Sequence, residues 1–401
     1  MLDDLTVIDA ASYVAGPAAA TVLGDFGANV IKVEPPRGDG FRRLAARYRT
    51  DYNWQLTSRN KRSLALDIGM PEGRHVLFRL IDSADILVVN FNAAQLKKYG
   101  LEYTALKSRN ARLILAQMTG YGTRGPEAER RGFDVAAWWA RSGITDMMKL
   151  PGGAPPNGVG GVGDHASAMS LFGAIMMALY RREKTGEGSH VTTSLAANGA
   201  WSNGMHLQGA IAGFDLAAVL AEKGYRSPFV LSYLTRDQRY IVLVGPNPQR
   251  EWPRLCQALG RDEWLKDSRF SDVTSIMKHR DELRAMIAGE FSRHNLNHLV
   301  RSLDDADVTY SVVETIRDVL TDAQLIENEI LLKTGSADPD YQWTVNSPIE
   351  VTGASRQLRR EAPQIGEHSR EILREAGFDE AGIEQLQSCG AVNTTADLPK
   401  I

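Results

Sequence analysis

The sequence predicts an α/β protein with a large domain around a parallel sheet and a smaller α+β domain. Three observations carry that prediction. Short, near-continuous apolar strands alternate with amphipathic helices through the first 200 or so residues, the pattern of a parallel sheet covered on both faces. Beyond them the alternation gives way to sparser strands among helices. The chain, 401 residues with 43% apolar and 24% charged side chains, can fill two cores, which excludes disordered and fibrous classes.

Residues 5–8 (Leu5, Thr6, Val7, Ile8) are the first strand. Pro17 sits at the start of a helix over 18–26 that Gly27 stops, and 30–33 returns as a strand, so the unit is βαβ. A strand at 63–66 precedes a helix opened by Pro71, with Val76, Leu77, Leu80, Ile81 and Ala84 on one face, and that helix leads to the strand 86–89. A short helix at 104–107 precedes the strand 113–118. The long apolar run 166–180 continues as helix to Arg182, and the turn 185–188 leads to a strand at 190–194. In the second part we expect strands at 240–244 and 309–313 and helices at 249–259 and 275–291. The last helix, 369–376, should pack back onto the first domain. The expected division is a large domain over 1–200, linker and small domain over 201–324, and a return segment over 325–401.

Ligands of parallel sheets gather at the carboxyl ends of the strands. Those ends carry Ser12-Tyr13-Val14-Ala15, Asn90-Phe91-Asn92 and Thr119-Gly120-Tyr121-Gly122. Lysine plus arginine (46) nearly balances aspartate plus glutamate (49), so no global basic field draws the molecule to nucleic acid or lipid. Cys256 and Cys389 have neither metal-ligand nor redox spacing, and Met1-Leu2-Asp3-Asp4 lacks the basic and apolar parts of a secretory signal. The run 166–180 is shorter than the roughly 20 residues a membrane span needs, and it contains Ser167, Ser170 and Gly173. A cytoplasmic enzyme with no membrane contact is the expectation.

The densest chemical signal is Gly158-Val159-Gly160-Gly161-Val162-Gly163-Asp164-His165, which runs straight into the long helix. Glycines remove the Cβ atoms that would hold a ligand away, and an aspartate in the first helical turn is expected to be held ionised by open N–H groups and the helix dipole. Asp164 is therefore either a simple cap or a nucleophile. Gly158, Gly160 and Gly163 also fit a dinucleotide fingerprint, but that motif follows a strand. The proline-rich 150–156 cannot be one, so the NAD reading is rejected.

Several blocks resemble the class III CoA-transferases, the formyl-CoA transferase and carnitine CoA-transferase family, over essentially the whole chain. They are Ala15-Gly16-Pro17, the stretch from Leu23-Gly24-Asp25-Phe26-Gly27 to Val33-Glu34-Pro35, Asn60-Lys61-Arg62-Ser63, Ala84-Asp85 to Asn90-Phe91, Gly120-Tyr121-Gly122 with Gly125-Pro126, and Gly163-Asp164. The resemblance implies a Rossmann-like large domain, an interlocked homodimer, and Asp164 as nucleophile. It implies no tightly bound cofactor; coenzyme A and acyl-CoA are substrates, with an acyl-CoA donor and a small carboxylic acid acceptor as partners.

By family position, Val14, Ala15, Leu66, Asn90, Phe91, Asn92, Lys98, Arg131, Gly132 and Phe133 line the CoA. Its phosphates call for cations, for which Arg37, Lys61, Arg62, Lys98, Arg130 and Arg131 are candidates. Gln117, Tyr121, Asp134 and His165 are further candidates for the site. Pro35 and Gly69 depart from relatives that carry Arg and Lys there, and no glycine-rich loop lies between Tyr225 and Val244. Gly132-Phe133-Asp134 with Trp138-Trp139-Ala140-Arg141, and Pro156-Asn157 through Gly163-Asp164-His165, look more like the branch with phenyllactate and 2-hydroxyisocaproate CoA-transferases, pointing to an aromatic or branched-chain acid. A plain core role for both tryptophans is the alternative. A racemase of the same fold uses a histidine where Phe133 stands, and phenylalanine cannot accept a proton. A CoA-binding protein without activity would not need Asp164.

Overall fold

The computed structural model describes residues 1–44, 48–150, 152–214, 218, 227–356 and 360–394. Pro151 and Tyr225 lie outside that set. The chain forms two compact units, Met1–Phe214 with Ile326–Ile401, and Asp215–Leu325.

The larger unit is built on a seven-stranded sheet. Its first six strands are β1 (Thr6–Asp9), β2 (Asn29–Glu34), β3 (Lys61–Leu66), β4 (Ile86–Val89), β5 (Ile114–Thr119) and β6 (Ser189–Ser194). Strand order is Val392–Asn393, β3, β2, β1, β4, β5, β6, and all pair in parallel except Val392–Asn393, which runs antiparallel to β3 with Val392 opposite Leu66. The expected α/β fold with a parallel-dominated sheet is therefore present. Chain progression reverses between β1 and β4, which makes the carboxyl ends of these two strands the switch-point crevice.

Apolar side chains fill both faces. One cluster holds Val7, Leu23, Val30, Val88, Ala116, Leu171 and Ile175, and the other Ile8, Ile31, Leu64, Leu77, Leu87, Leu115 and Ile372. The second cluster includes residues of the C-terminal segment, which adds the strand Val392–Asn393 to the sheet.

The helices follow the sequence with adjustments. α1 (Ala15–Asp25) starts two residues before Pro17, which still falls in the first turn where its missing N–H costs nothing. α2 (Tyr52–Ser58) was not expected; Asp51 caps it by accepting from Trp54 N. α3 (Pro71–Ile81) is as expected, α4 (Ala93–Tyr99) opens with a reciprocal Asn92–Gln95 capping box, and α5 (Tyr103–Arg109) leads to β5.

α6 (Val162–Thr185) is longer than the apolar run and, by length and composition alone, could cross a membrane. One face is buried at Ser167, Ala168, Leu171, Ile175 and Ala178, and its buried Arg182 pairs with Asp85 at 2.9 Å. The opposite face leaves Met177 and Tyr180 exposed.

The smaller unit has a three-stranded antiparallel sheet, Ser232–Leu234, Tyr240–Leu243 and Tyr310–Val312, backed by helices over a core of Phe229, Tyr233, Trp252, Leu255, Phe291 and Leu303. The helix expected at 275–291 is two, Val273–Lys278 and Arg280–Phe291, broken at His279.

Candidate active site

The crevice is underlain by buried charge. Lys61 Nζ donates to Asp9 Oδ2 (2.8 Å) and to the carbonyls of Pro17 and Thr57 (2.7 Å each), so all three of its protons are used. Lys32, also fully buried, donates to the Ala11 carbonyl and pairs with Asp39 at 3.1 Å. Glu34 accepts Arg42 bidentately at 2.8 Å and the Ser63 hydroxyl at 2.7 Å. Burial pulls Lys61 down to about 8, resisted by Asp9. These groups tie β1, β2 and β3 together beneath the loop that carries Ser12 and Tyr13.

This network removes Lys61 from the candidate phosphate ligands. Arg62 is removed too, since it is buried and bridges Glu371 and Glu375. Arg130 is held by Glu127 and lies over the Tyr121 ring. Arg37, Lys98 and Arg131 are exposed and have no ion-pair partner among the described residues; Arg37 and Arg131 lie in the segments after β2 and β5, and Lys98 in the last turn of α4 after β4.

The other residues expected along the CoA divide. Asn90 clamps Ser12 from both sides, its Oδ1 accepting from Ser12 N at 3.0 Å and its Nδ2 donating to Ser12 O at 2.9 Å. Asn92 caps α4, and the Phe91 carbonyl accepts from buried Gln117 Nε2 at 2.7 Å, whose Oε1 contacts His190 Nε2 at 3.0 Å. The side chains of Val14 and Ala15 are buried, so this loop and the first turn of α1 present backbone to the crevice. Leu66 is 1% exposed and belongs to the core.

The loop after β5 returns to the sheet at Gly132. A Cβ on Gly120 or on Gly132 would stand 2.6 Å from the other residue's Cα, so only glycines permit this contact, which fixes the start of Phe133-Asp134. Asp134 then opens a π-helical turn, Val135–Ala140, that turns Trp138 and Trp139 towards the glycine loop. Such widened turns concentrate at functional sites.

Two expectations for that loop need correction. Gly163 lacks a Cβ because Trp138 and the Asp134 carboxylate occupy its place, and Gly158 because Trp139 does, while the Trp139 indole N–H donates to the Val159 carbonyl at 3.1 Å. Those two glycines therefore seat the protein's own tryptophans. Gly160 and Gly161 have open space where a Cβ would stand, and they are the ones a ligand can approach. Trp138 is core, and Trp139 is a strut for the loop.

The second correction concerns Asp164, the third residue of α6. The helix is capped by Gly161, at φ 86°, without a side chain, and Asp164 is not held ionised. Burial, then the negative charge of Asp134, push its carboxyl up to about 7. Asp134 is itself raised by burial against the opposing N–H groups of Gly161 and Gly163, and neither of its oxygens makes a hydrogen bond of regular geometry. Two carboxylates thus share one helix mouth, and neither has an ion-pair partner among the described residues. His165, next along the helix, is exposed.

The sequence marks Tyr13 only by its place at the carboxyl end of β1 and gives it no role. It has φ 67°, is 39% exposed, and meets the Phe133 ring edge-on at 5.5 Å. No sequence rule places a tyrosine in the left-handed region.

A carboxyl desolvated by burial and pushed up to about 7, behind an open glycine loop, suits acyl chemistry. Comparison with known proteins identifies the family. A sequence model described as CoA-transferase family III matches residues 2–369. The chain is 29% identical to the (R)-2-hydroxy-4-methylpentanoate CoA-transferase of Clostridioides difficile, over 98% of this chain and 99% of that one. It is 31% identical to the cinnamoyl-CoA:phenyllactate CoA-transferase of Clostridium sporogenes, over 96% of each. The crystal structure of a CAIB/BAIF family protein from Brucella suis superposes with a TM-score of 0.81 at 27% identity, covering 94% of this chain and 99% of that one. The chain belongs to CoA-transferase family III and is an enzyme of that class.

Proposed function

We propose that the enzyme moves CoA from an acyl-CoA to an apolar aromatic or branched-chain carboxylic acid through covalent intermediates on Asp164. The observation that carries this reading is Asp164 itself, raised to about 7 beside Asp134 and the open Gly160-Gly161 backbone. At neutral pH a substantial fraction is anionic, and that anion is more basic than an ordinary carboxylate, hence a better nucleophile.

Asp164 attacks the thioester carbonyl, the C–S bond breaks, and CoA leaves as thiolate from a mixed anhydride. The thiolate then attacks the aspartyl carbonyl and releases the donor's acid, leaving an aspartyl-CoA thioester. The acceptor carboxylate attacks that thioester, and the returning thiolate takes its acyl group and frees Asp164. Open glycine backbone offers N–H groups to each oxyanion. CoA lies along the β1–β4 crevice with Arg37, Lys98 and Arg131 at its phosphates, supported by the lack of competing ion pairs.

A second copy of the chain covers Met177, Tyr180, Trp201, Met205, Ile211 and Phe214, whose exposure is that of an interface, giving the interlocked dimer. Unpaired Cys256 and Cys389 suit a cytoplasmic enzyme.

The test is acyl-CoA without acceptor, quenched in hydroxylamine. A hydroxamate in the peptide containing Asp164, with no exchange of the acyl α-hydrogen in heavy water, is expected. Rapid α-exchange with no adduct would make the enzyme an isomerase.

A further inference from the structure

Tyr13 stands at the end of β1 in a backbone conformation that side chains with a Cβ adopt at a cost, and such strain persists only where surrounding contacts impose it. Here they are visible. Asn90 holds Ser12 through both its N–H and its carbonyl, and Asp39 Oδ1 accepts the N–H of Tyr13 at 3.3 Å. The other oxygen of Asp39 is fixed by buried Lys32 at 3.1 Å. A Cβ on Gly40 would stand 3.2 Å from the Tyr13 hydroxyl, so this glycine leaves room for the ring.

That backbone directs a ring that is not in the core. Tyr13 is 39% exposed and Phe133 58% exposed, and the two meet edge-to-face at 5.5 Å and 84°. Phe41 backs Tyr13 from the buried side at 6.5 Å. Phe133 is followed directly by Asp134, whose carboxylate abuts Gly163, the residue before Asp164. Two exposed rings fixed this firmly add little to folding stability. They form an apolar surface at the end of β1, reaching through Phe133 to Asp134 beside Gly163.

We propose that Tyr13 and Phe133 select the acyl chain, seating the aromatic ring of an arylalkanoyl group while its carbonyl lies at Asp164. This rests on the Asp164 reading above. An edge-to-face pair offers a third ring an offset or T-shaped contact, which a short aliphatic or dicarboxylic chain cannot use. Branched alkyl chains cover this surface less fully and rank between.

The measurement is the ratio of kcat/KM for 3-phenylpropionyl-CoA to that for acetyl-CoA with a fixed acceptor, in the wild type, Tyr13→Phe, Tyr13→Gly and Phe133→Leu. Glycine accepts the left-handed backbone, so Tyr13→Gly removes the ring without added strain. The ratio should fall about ten-fold or more in Tyr13→Gly and in Phe133→Leu and survive in Tyr13→Phe. Equal losses on both donors, an unchanged ratio in Tyr13→Gly, or a collapse in Tyr13→Phe would overturn the proposal. A wild type that forms no adduct on Asp164 overturns the covalent mechanism and this proposal together. An adduct formed equally well from both donors overturns this proposal alone.

Discussion

Two clusters of buried charge serve the ligand edge of the same sheet, and they are wired oppositely. Beneath β1–β3, Asp9, Glu34 and Asp39 each face a cation, and Lys61 spends every proton on an acceptor. At the mouth of α6, Asp134 and Asp164 have no ion-pair partner among the described residues, and burial with the charge of Asp134 raises the carboxyl of Asp164 to about 7. The same residue types are compensated in one cluster and left uncompensated in the other, and uncompensated carboxylates with raised pKa are what the proposed chemistry needs.

The largest way to break the comparison is to remove one member of each cluster. Asp164→Ala should reduce transfer to background while the thermal unfolding curve stays cooperative. Asp9→Ala should do the reverse in kind: leaving Lys61 buried without its carboxylate should lower stability by about 3–5 kcal/mol, read by denaturant unfolding. If Asp9→Ala unfolds at the wild-type midpoint, the scaffold assignment fails.

Arg131→Ala should come next, raising the KM of every acyl-CoA donor several-fold while leaving preference among acceptor acids unchanged. A change confined to one acceptor would remove Arg131 from the phosphates. Asp134→Asn deletes the second cause of the Asp164 shift and keeps the first, burial. The acid limb of kcat/KM against pH should therefore move below 7 without reaching the ordinary carboxylate range. A limb that does not move would show that Asp134 exerts no charge on Asp164.

The smallest effect is on stability. A carboxyl whose folded pKa lies above its unfolded value penalises folding once it must ionise, fully above about pH 7 and not below about pH 4. Asp164→Asn should therefore raise the melting temperature by a few degrees at pH 8 and leave it unchanged at pH 4. Equal shifts at both values would assign the gain to something other than charge.

Much of this was legible in the chain. The strands β1, β2, β4 and β5 are near-continuous apolar runs, and Asp164 is marked by its glycines and the helix that follows. Elements too short to carry a period were not, among them Val392–Asn393 and the hairpin Leu331–Lys333 with Trp343–Val345. Spacing also could not tell a free cation from a paired one. Arg62 is neutralised by Glu371 and Glu375, some three hundred residues along the chain, whereas Arg131 is neutralised by nothing described. The glycine loop misled in a physical way, since a glycine that admits a ligand and one that admits a tryptophan look identical until the partner is placed. Tyr13 was marked only by its place at the end of a strand, because its backbone is imposed by Asn90, Asp39 and Lys32, all distant in sequence.

The pH dependence of adduct formation tests the central contrast most directly. Hydroxamate at Asp164, formed from acyl-CoA without acceptor and counted by peptide mass spectrometry from pH 5 to 9, should rise with a midpoint near 7. No adduct at Asp164, or an adduct whose formation is already complete at pH 5 as for an ordinary carboxylate, would contradict the account.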